Sequence, residues 1–295
     1  MGRNHFTFAF CSPKLLPMPG LVVPKLSAGA LRRELSYRNS LRAHLHPHEC
    51  SFGSVANYIY HDSNGKHGNF HPASYQAICA CPEWRKRLNK SYTAGEFVPR
   101  RWDRSRNELD CANSSDALLM NIFCYPKLLE RPQVCSILGI ERGLRASFGF
   151  KPAIPVGNGC VDRTEIDMSL GSLLVEAKLT ETDFQRVPLE RLAKYQDLEQ
   201  VFAIDRLPIS GNSVASYQLV RGVLAAHQLQ CSFVVLCDAR RTDLVERWFR
   251  VMCAVGNCDL RSRLVLLTWQ ELAGALPRSL QQFLDEKYGI LPAAR

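Results

Sequence analysis

Asp167, Glu176 and Lys178 are the residues whose types and spacing best suit chemistry in this chain of 295 residues. They fall within Arg163 to Thr180, a stretch that reads as two short strands joined by Gly171-Ser172. Glycine at the first central position, with a small polar residue after it, suits a type II′ hairpin turn. With Leu170 set opposite Leu173, counting back along both strands brings Asp167 against Glu176 and Glu165 against Lys178. Side chains alternate across a strand. Glu165, Asp167, Glu176 and Lys178 therefore share one face, while Ile166, Met168, Leu170, Leu173, Val175, Ala177 and Leu179 share the other. The apolar face belongs in a core. Carboxylate oxygens gathered at one point make a hard-oxygen site of the kind Mg²⁺ takes, and that ion keeps several of its waters. A neighbouring ammonium can orient an attacking water and offset charge on a phosphate. The same pattern also reads as an amphipathic hairpin with cross-strand Glu–Lys pairing of small energetic worth. Asp167 directly opposite Glu176 weighs against that reading, because the two repel unless a cation sits between them.

The elements that must position this hairpin can be read on either side of it. Asn113 or Ser114 can cap a helix running to about Phe123 or Tyr125, with Leu118 and Ile122 in its buried stripe and Pro126 at its end. Pro132 suits the first turn of a second helix ending before Phe148. Phe150 to Val156 is a strand candidate, and Gly157-Asn158-Gly159 turns the chain into the hairpin. A helix is expected near 187–204, carrying Lys194, Tyr195 and Gln196, and Ser213 can cap the next, periodic in Tyr217, Val220 and Leu224. Cys231 to Cys237 is a continuous apolar run, hence a buried strand. A helix over 240–254 and a strand over 263–269 follow. This order predicts an α/β fold, a mixed sheet flanked by helices.

Asp167 followed by Glu176-Ala177-Lys178 resembles the D…(D/E)xK signature of the PD-(D/E)XK nuclease superfamily. Asn113 to Phe123, Thr164 to Asp167, Glu176 to Lys178 and Tyr217 to Arg221 together resemble a group of uncharacterised bacterial restriction-endonuclease-like proteins, over residues 60–275. Ile166 stands where the signature's proline would be, and Asp116 where the group often has Gln. The resemblance implies a restriction-endonuclease-like αβββαβ core and Mg²⁺-dependent hydrolysis of DNA, with Mn²⁺ able to substitute. It implies that Asp167 and Glu176 hold the metal with the backbone carbonyl of Ala177. Glu165 would be a further ligand or the partner of Lys178, and Lys178 would position the water and steady the phosphate. Asp116, Tyr195 and Gln196 take auxiliary places. Gln218 and Arg221 would contact nucleic acid or stabilise their helix. A non-catalytic nucleic-acid-binding protein that keeps the fold is the alternative, and an interaction protein with a merely amphipathic hairpin is a third reading.

Composition bounds these readings. The net charge is +9, with 46% hydrophobic and 22% charged residues, an ordinary globular balance whose basic excess favours polyanion partners. No apolar run reaches the roughly 18 residues of a membrane span. Between 83 and 106, Arg85, Lys86, Arg87, Lys90, Arg100, Arg101, Arg104 and Arg106 oppose only Glu83, Glu96 and Asp103, with Trp84, Tyr92, Phe97 and Trp102 interleaved. That pattern suits phosphate contacts and base stacking, or a solvated helix face. Arg100, Arg101 and Arg104 are the DNA contacts expected there. The 12 cysteines lie largely in apolar runs, which suits buried thiols in a reducing cytoplasm. Cys79 and Cys81 with Cys253, Cys258 and His71 match no standard zinc spacing, so zinc is not expected. There is no phosphate-binding glycine loop, no nucleophile elbow and no H-E-x-x-H. Residues 1–40 are expected to be a disordered or non-native basic extension, 41–110 a basic region packed on the core, 111–275 the nuclease-like core and 276–295 a C-terminal helix. A homodimer is a candidate assembly.

Overall fold

Five strands make the central sheet of the structure, a computed structural model that describes residues 24–51, 53–92 and 106–293. They are β1 (Ser147–Phe150), β2 (Ile166–Leu170), β3 (Leu173–Ala177), β4 (Ser232–Cys237) and β5 (Leu264–Thr268), in spatial order β5-β4-β3-β2-β1. β1, β2 and β3 run antiparallel to their neighbours, whereas β3, β4 and β5 are parallel. Parallel neighbours need long crossovers. Helices supply them here. Those used below are α1 (Ala28–Ala43), α2 (Pro72–Ala80), α3 (Pro82–Arg87), α4 (Ser115–Phe123), α5 (Pro132–Leu138), α6 (Tyr217–Gln228), α7 (Thr242–Ala254) and α8 (Arg278–Tyr288). The result is the mixed sheet flanked by helices that the element order predicts, and it is restriction-endonuclease-like in type.

The hairpin register is as counted from Leu170 opposite Leu173 to Met168 opposite Val175, but the expected alternation fails beyond Met168: Ile166 packs in the opposite core, with Leu174. One face of the sheet places Met168, Leu170, Leu173, Val175 and Ala177 in a core with α1, α4 and α8. The opposite face is not wholly polar. Leu174 is buried there with Phe233 and Val235 against α6 and α7, through Val220, Val223, Leu224 and Trp248. β3 is thus buried on both faces, as a strand carrying a parallel partner usually is. Only its C-terminal end presents charge.

Several boundaries differ from the sequence expectation, each for an identifiable reason. Residues 28–40 are not an extension: Ser27 caps α1, and Leu31, Leu35, Asn39 and Ala43 are buried against α8 and neighbouring residues. That stripe contains an asparagine and an alanine, so its apolar period is weak. Residues 1–23 lie outside the described residues. The expected helix at 187–204 is two single turns, Leu189–Leu192 and Leu198–Val201. Between them the backbone of Lys194 to Gln196 pairs with the strand Ile154–Val156, which a helix could not do. Ser213 lies in a short strand, Ser213–Ala215, and α6 begins after Ser216. The expected strand at 150–156 divides, with β1 ending at Phe150 and Ile154–Val156 forming a separate hairpin with Cys160–Asp162. α5 stops early, at Gly139 in the left-handed conformation. No helix among the described residues is long and apolar enough to cross a membrane.

α1 meets α8 around a lysine. Lys287 is fully buried and its Nζ donates to Asn39 Oδ1 at 2.9 Å, 5.0 Å from the ring centroids of Tyr60 and Tyr288. Burial, and then the charge of Arg42, hold its pKa well below the usual lysine range. A lysine whose pKa is lowered on folding contributes stability that is full above its unfolded pKa and is lost as pH falls through the folded one. Lys287→Met keeps the volume, and Asn39 Oδ1 keeps the Tyr60 hydroxyl, 3.1 Å away. Thermal melts should show Lys287→Met at least as stable as wild type at neutral pH, its advantage shrinking towards about pH 10. A variant that is equally destabilised at every pH would contradict this.

Candidate active site

The start of β2 and the end of β3, side by side in the antiparallel hairpin, hold the charged cluster. Backbone pairing of the hairpin ends at Met168 and Val175, and beyond it the Asp167 side chain reaches across to the strand end that carries Glu176. Asp167 Oδ2 accepts from the backbone N–H of Ala177 at 2.8 Å. Glu176 is 2% exposed and Lys178 5%, so both charges depend on each other: Lys178 Nζ donates to Glu176 Oε1 at 2.8 Å. The main chain at Lys178 is fixed from two sides. Its N–H donates to Leu236 O at 2.8 Å, and Trp269 Nε1 donates to its carbonyl at 2.9 Å. The two-residue spacing of Glu176 and Lys178 thus places both on one face and pins them to a strand held by its neighbours.

A second layer of charge comes from the N-terminal half of the chain. Asp116, in the first turn of α4, and Glu165, just before β2, are bridged by two cations. Arg87 Nη2 lies 3.0 Å from Asp116 Oδ2 and 2.5 Å from Glu165 Oε1. Lys90 Nζ lies 2.6 Å from Asp116 Oδ2 and 3.4 Å from Glu165 Oε1. Trp84 anchors α3 for this purpose: its Nε1 donates to Ala146 O at 2.8 Å and its ring meets Phe148 edge-on. Gly149 in β1 makes room. A Cβ there would collide with Arg87 Nη1 and stand 2.9 Å from Glu165 Oε2, and its φ of +68° is one that other residues rarely adopt. Arg221 of α6, 2% exposed, donates to the backbone carbonyl of Glu165 at 2.7 Å. Glu181 accepts from Ser115 Oγ and from the N–H of Leu179, both at 2.6 Å.

The electrostatics separate the acids. Burial, and then the Glu176 charge opposite, push the Asp167 carboxyl well above the usual aspartate range, against Lys178 and the Ala177 N–H. Burial also works to raise Glu165, but Arg87 and then Lys90 outweigh it and hold that carboxyl low. Burial disfavours the Lys178 ammonium, yet Glu176, Asp167 and Glu181 together keep its pKa above the usual lysine value. Lys178 is therefore a charged donor at neutral pH. Among the described residues no three His, Cys, Asp or Glu side chains already stand as a metal cage. Asp167 and Glu176 are two hard-oxygen donors, the number Mg²⁺ commonly draws from protein while keeping its waters.

Residues 44–289 match the family described as Restriction Endonuclease associating with ARP. The chain belongs to this family. No curated protein and no solved structure matched it.

Within this restriction-endonuclease family member, the residues singled out from sequence do not all converge. Asp116, Glu165, Asp167, Glu176 and Lys178 come together. Glu165 is paired with Arg87 and Lys90 and not with Lys178, because Lys178 turns to the carboxylate two residues back on its own strand. Tyr195 is elsewhere, hydrogen-bonded to Asp162 and, at 2.7 Å, to Tyr217. Gln196 is exposed, its side chain 3.3 Å from Val156 O. Arg221 braces the hairpin backbone, and Gln218 is half-buried with its N–H on Phe184 O. Arg100, Arg101 and Arg104 lie outside the described residues. The Cys81 thiol caps α3 and meets Arg145 Nη2 at 2.7 Å, His71 caps α2, and Cys253 and Cys258 are exposed. Arg87 and Lys90 are the site residues that sequence reading left among the general basic residues. Their position in a basic, aromatic-laced segment was visible, but nothing local marked them as partners of acids 26 to 78 residues away.

Two outcomes are expected. Gly149→Ala should cost about 1–3 kcal/mol, since it meets both a strained φ and the Arg87–Glu165 pair; a thermal or urea melt within error of wild type would contradict the packing. Asp167→Asn should behave oppositely in chelator. An acid whose pKa is raised on folding costs stability progressively as pH rises from its unfolded value, about 4, through the folded one. Asp167→Asn keeps an acceptor for the Ala177 N–H and does not titrate. It should melt at or above wild type at neutral pH, with the gap closing towards about pH 4. A gap that widens on acidification would show that Asp167 is not the strained member.

Proposed function

We propose that the protein hydrolyses phosphodiester bonds in DNA with the help of Mg²⁺, Mn²⁺ being able to replace it. The observation that carries this reading is the nearness of the Asp167 and Glu176 carboxyl groups, with Asp167 on the Ala177 N–H and the Lys178 ammonium on the Glu176 carboxylate. Membership of a restriction-endonuclease family supports it. Asp167 and Glu176 would hold the metal, with the backbone carbonyl of Ala177. The bound cation would polarise the phosphate and lower the pKa of water at the site. The residues of the chain do the rest. Glu176 orients Lys178. Lys178 is held protonated by the surrounding carboxylates, so it acts as a hydrogen-bond donor to a phosphate oxygen, stabilising charge that builds up at phosphorus. It is not a general base. Arg87 and Lys90 hold Asp116 and Glu165 at fixed positions, which prevents further repulsion at the acid pair. Glu165 could join the metal only by giving up those two cations.

The direct test incubates purified protein with plasmid and Mg²⁺ or Mn²⁺. Glu176→Gln should reduce nicking or linearisation by at least about a thousandfold, and Lys178→Ala by about a hundred- to a thousandfold, since each removes a group on which charge stabilisation rests. Lys178→Ala should retain most of the rise in melting temperature that Mn²⁺ gives wild type, because lysine is not a ligand, whereas Glu176→Gln should lose it. Undiminished cleavage by Glu176→Gln would reject the assigned chemistry. DNA binding without cleavage or metal stabilisation in wild type would favour the non-catalytic alternative.

A further inference from the structure

A cavity of about 390 Å³ opens between the strand pair 186–188/213–215 and α7. Two routes connect it to Lys178. Along the chain, Phe184 lies with its ring 5.6 Å from Lys178 Nζ, and Arg186 follows two residues later in the cavity wall. Through space, Arg241 reaches Leu179 O at 3.4 Å and holds Asp243, another wall residue, at 2.8 and 2.9 Å. The buried side chains of Phe184 and Arg241 thus link the cavity wall to the end of β3 that carries the candidate chemistry.

Its wall carries three arginines, Arg186, Arg247 and Arg250. Among the described residues no hydrogen bond or ion pair engages the guanidinium groups of Arg247 and Arg250, and Arg186 makes one bond, to Ser213 Oγ at 3.0 Å. Asp243 is neutralised by Arg241, which leaves Glu246 as the acid facing them. Guanidinium groups gathered without carboxylate partners repel one another, and their planar donors match phosphate oxygens. A second cavity, of about 350 Å³, also draws a wall residue, Pro188, from this strand pair. Arg186 lines the first and Pro188 the second, while Ala215 and Ser216 lead directly to Tyr217. Arg191 and Lys194 stand in that second wall with two acids, Glu190 and Asp162, the latter already engaged by Tyr195 and Thr164. The basic groups thus extend over two cavities, more than a single small anion would need.

We propose that these basic groups, Arg250, Arg247 and Arg186 with Arg191 and Lys194, hold the phosphodiester backbone of the nucleic acid. The inference rests on the nucleic-acid reading above and adds to it the surface that binds. It concerns residues of the described core, well apart in sequence from the basic segment around Arg100.

The test is binding of a short fluorescent DNA duplex by anisotropy across a salt series, in chelator so that no cleavage intervenes. The triple variant Arg186→Ala/Arg247→Ala/Arg250→Ala is compared with a control, Arg33→Ala/Arg142→Ala/Arg278→Ala, which removes the same charge from exposed positions outside both cavities. Removing one cation that neutralises a phosphate lowers the salt slope by about 0.9. The triple variant should therefore show a slope smaller by up to about 2–3 units and bind about ten- to a hundredfold more weakly near 0.1 M salt, with the control close to wild type. Glu246→Gln should bind several-fold more tightly. Arg250→Glu repeats the test with a single exposed substitution, and melting curves of all variants should overlay. A triple variant that binds like the control overturns this surface alone. A wild type whose DNA binding is absent or indifferent to salt overturns the surface and the nucleic-acid reading together.

Discussion

Carboxylates crowded at the poorly hydrated ends of two interior strands must be neutralised, and the arrangement around the hairpin follows from that requirement. Asp116, Glu165, Asp167, Glu176 and Glu181 gather within one region, three of them on or beside β2 and β3. An uncompensated buried charge costs several kcal/mol, more than the margin by which most domains stay folded can readily absorb. Lys178 answers Glu176 from just past the end of the same strand. Asp116 and Glu165 are answered by Arg87 and Lys90, which arrive from outside the sheet. This explains otherwise unrelated details: why Trp84 is tied to Ala146, and why β1 has a glycine opposite the charged end of β2. Asp167 is left with a single backbone donor and an acid facing it. On the proposed reading, a divalent cation completes the balance there.

The hairpin itself was legible because three independent constraints agree in it. Gly171 selects the turn, alternation selects the faces as far as Met168, and a one-residue slip would have taken Met168 and Leu170 out of the core they share with Val175. The buried strand at 232–237 and the helix and strand after it were equally plain, each being a single uninterrupted pattern. What could not be read was anything decided by a distant partner. Arg87 and Lys90 carry the same local signature as Arg85 and Lys86, and only the fold distinguishes them. Lys194 to Gln196 has helical composition, but its hydrogen bonds are taken by a strand some 40 residues earlier. Leu174 lies on the face counted as polar, and is buried because α6 and α7 cover it. Helix α1 escaped notice because its buried stripe ends in Asn39 and Ala43, residues whose value depends on Tyr60 and Lys287 being there to meet them.

That meeting of α1 with α8 also imposes an order on events as the chain is made. Asn39 and Lys287 are 248 positions apart, and Arg38 and Arg42 find Asp285 and Glu286 at similar separation. Closing so long a loop must be paid for in chain entropy before any contact rewards it, and such contacts form late. During synthesis, Leu31 and Leu35 therefore wait in solvent or against a chaperone until nearly the whole sheet and its last helix have emerged. The clasp is thus a seal that closes only over a finished core, and a chain interrupted before α8 would be left displaying the apolar stripe of α1, the kind of exposed surface that quality-control factors bind.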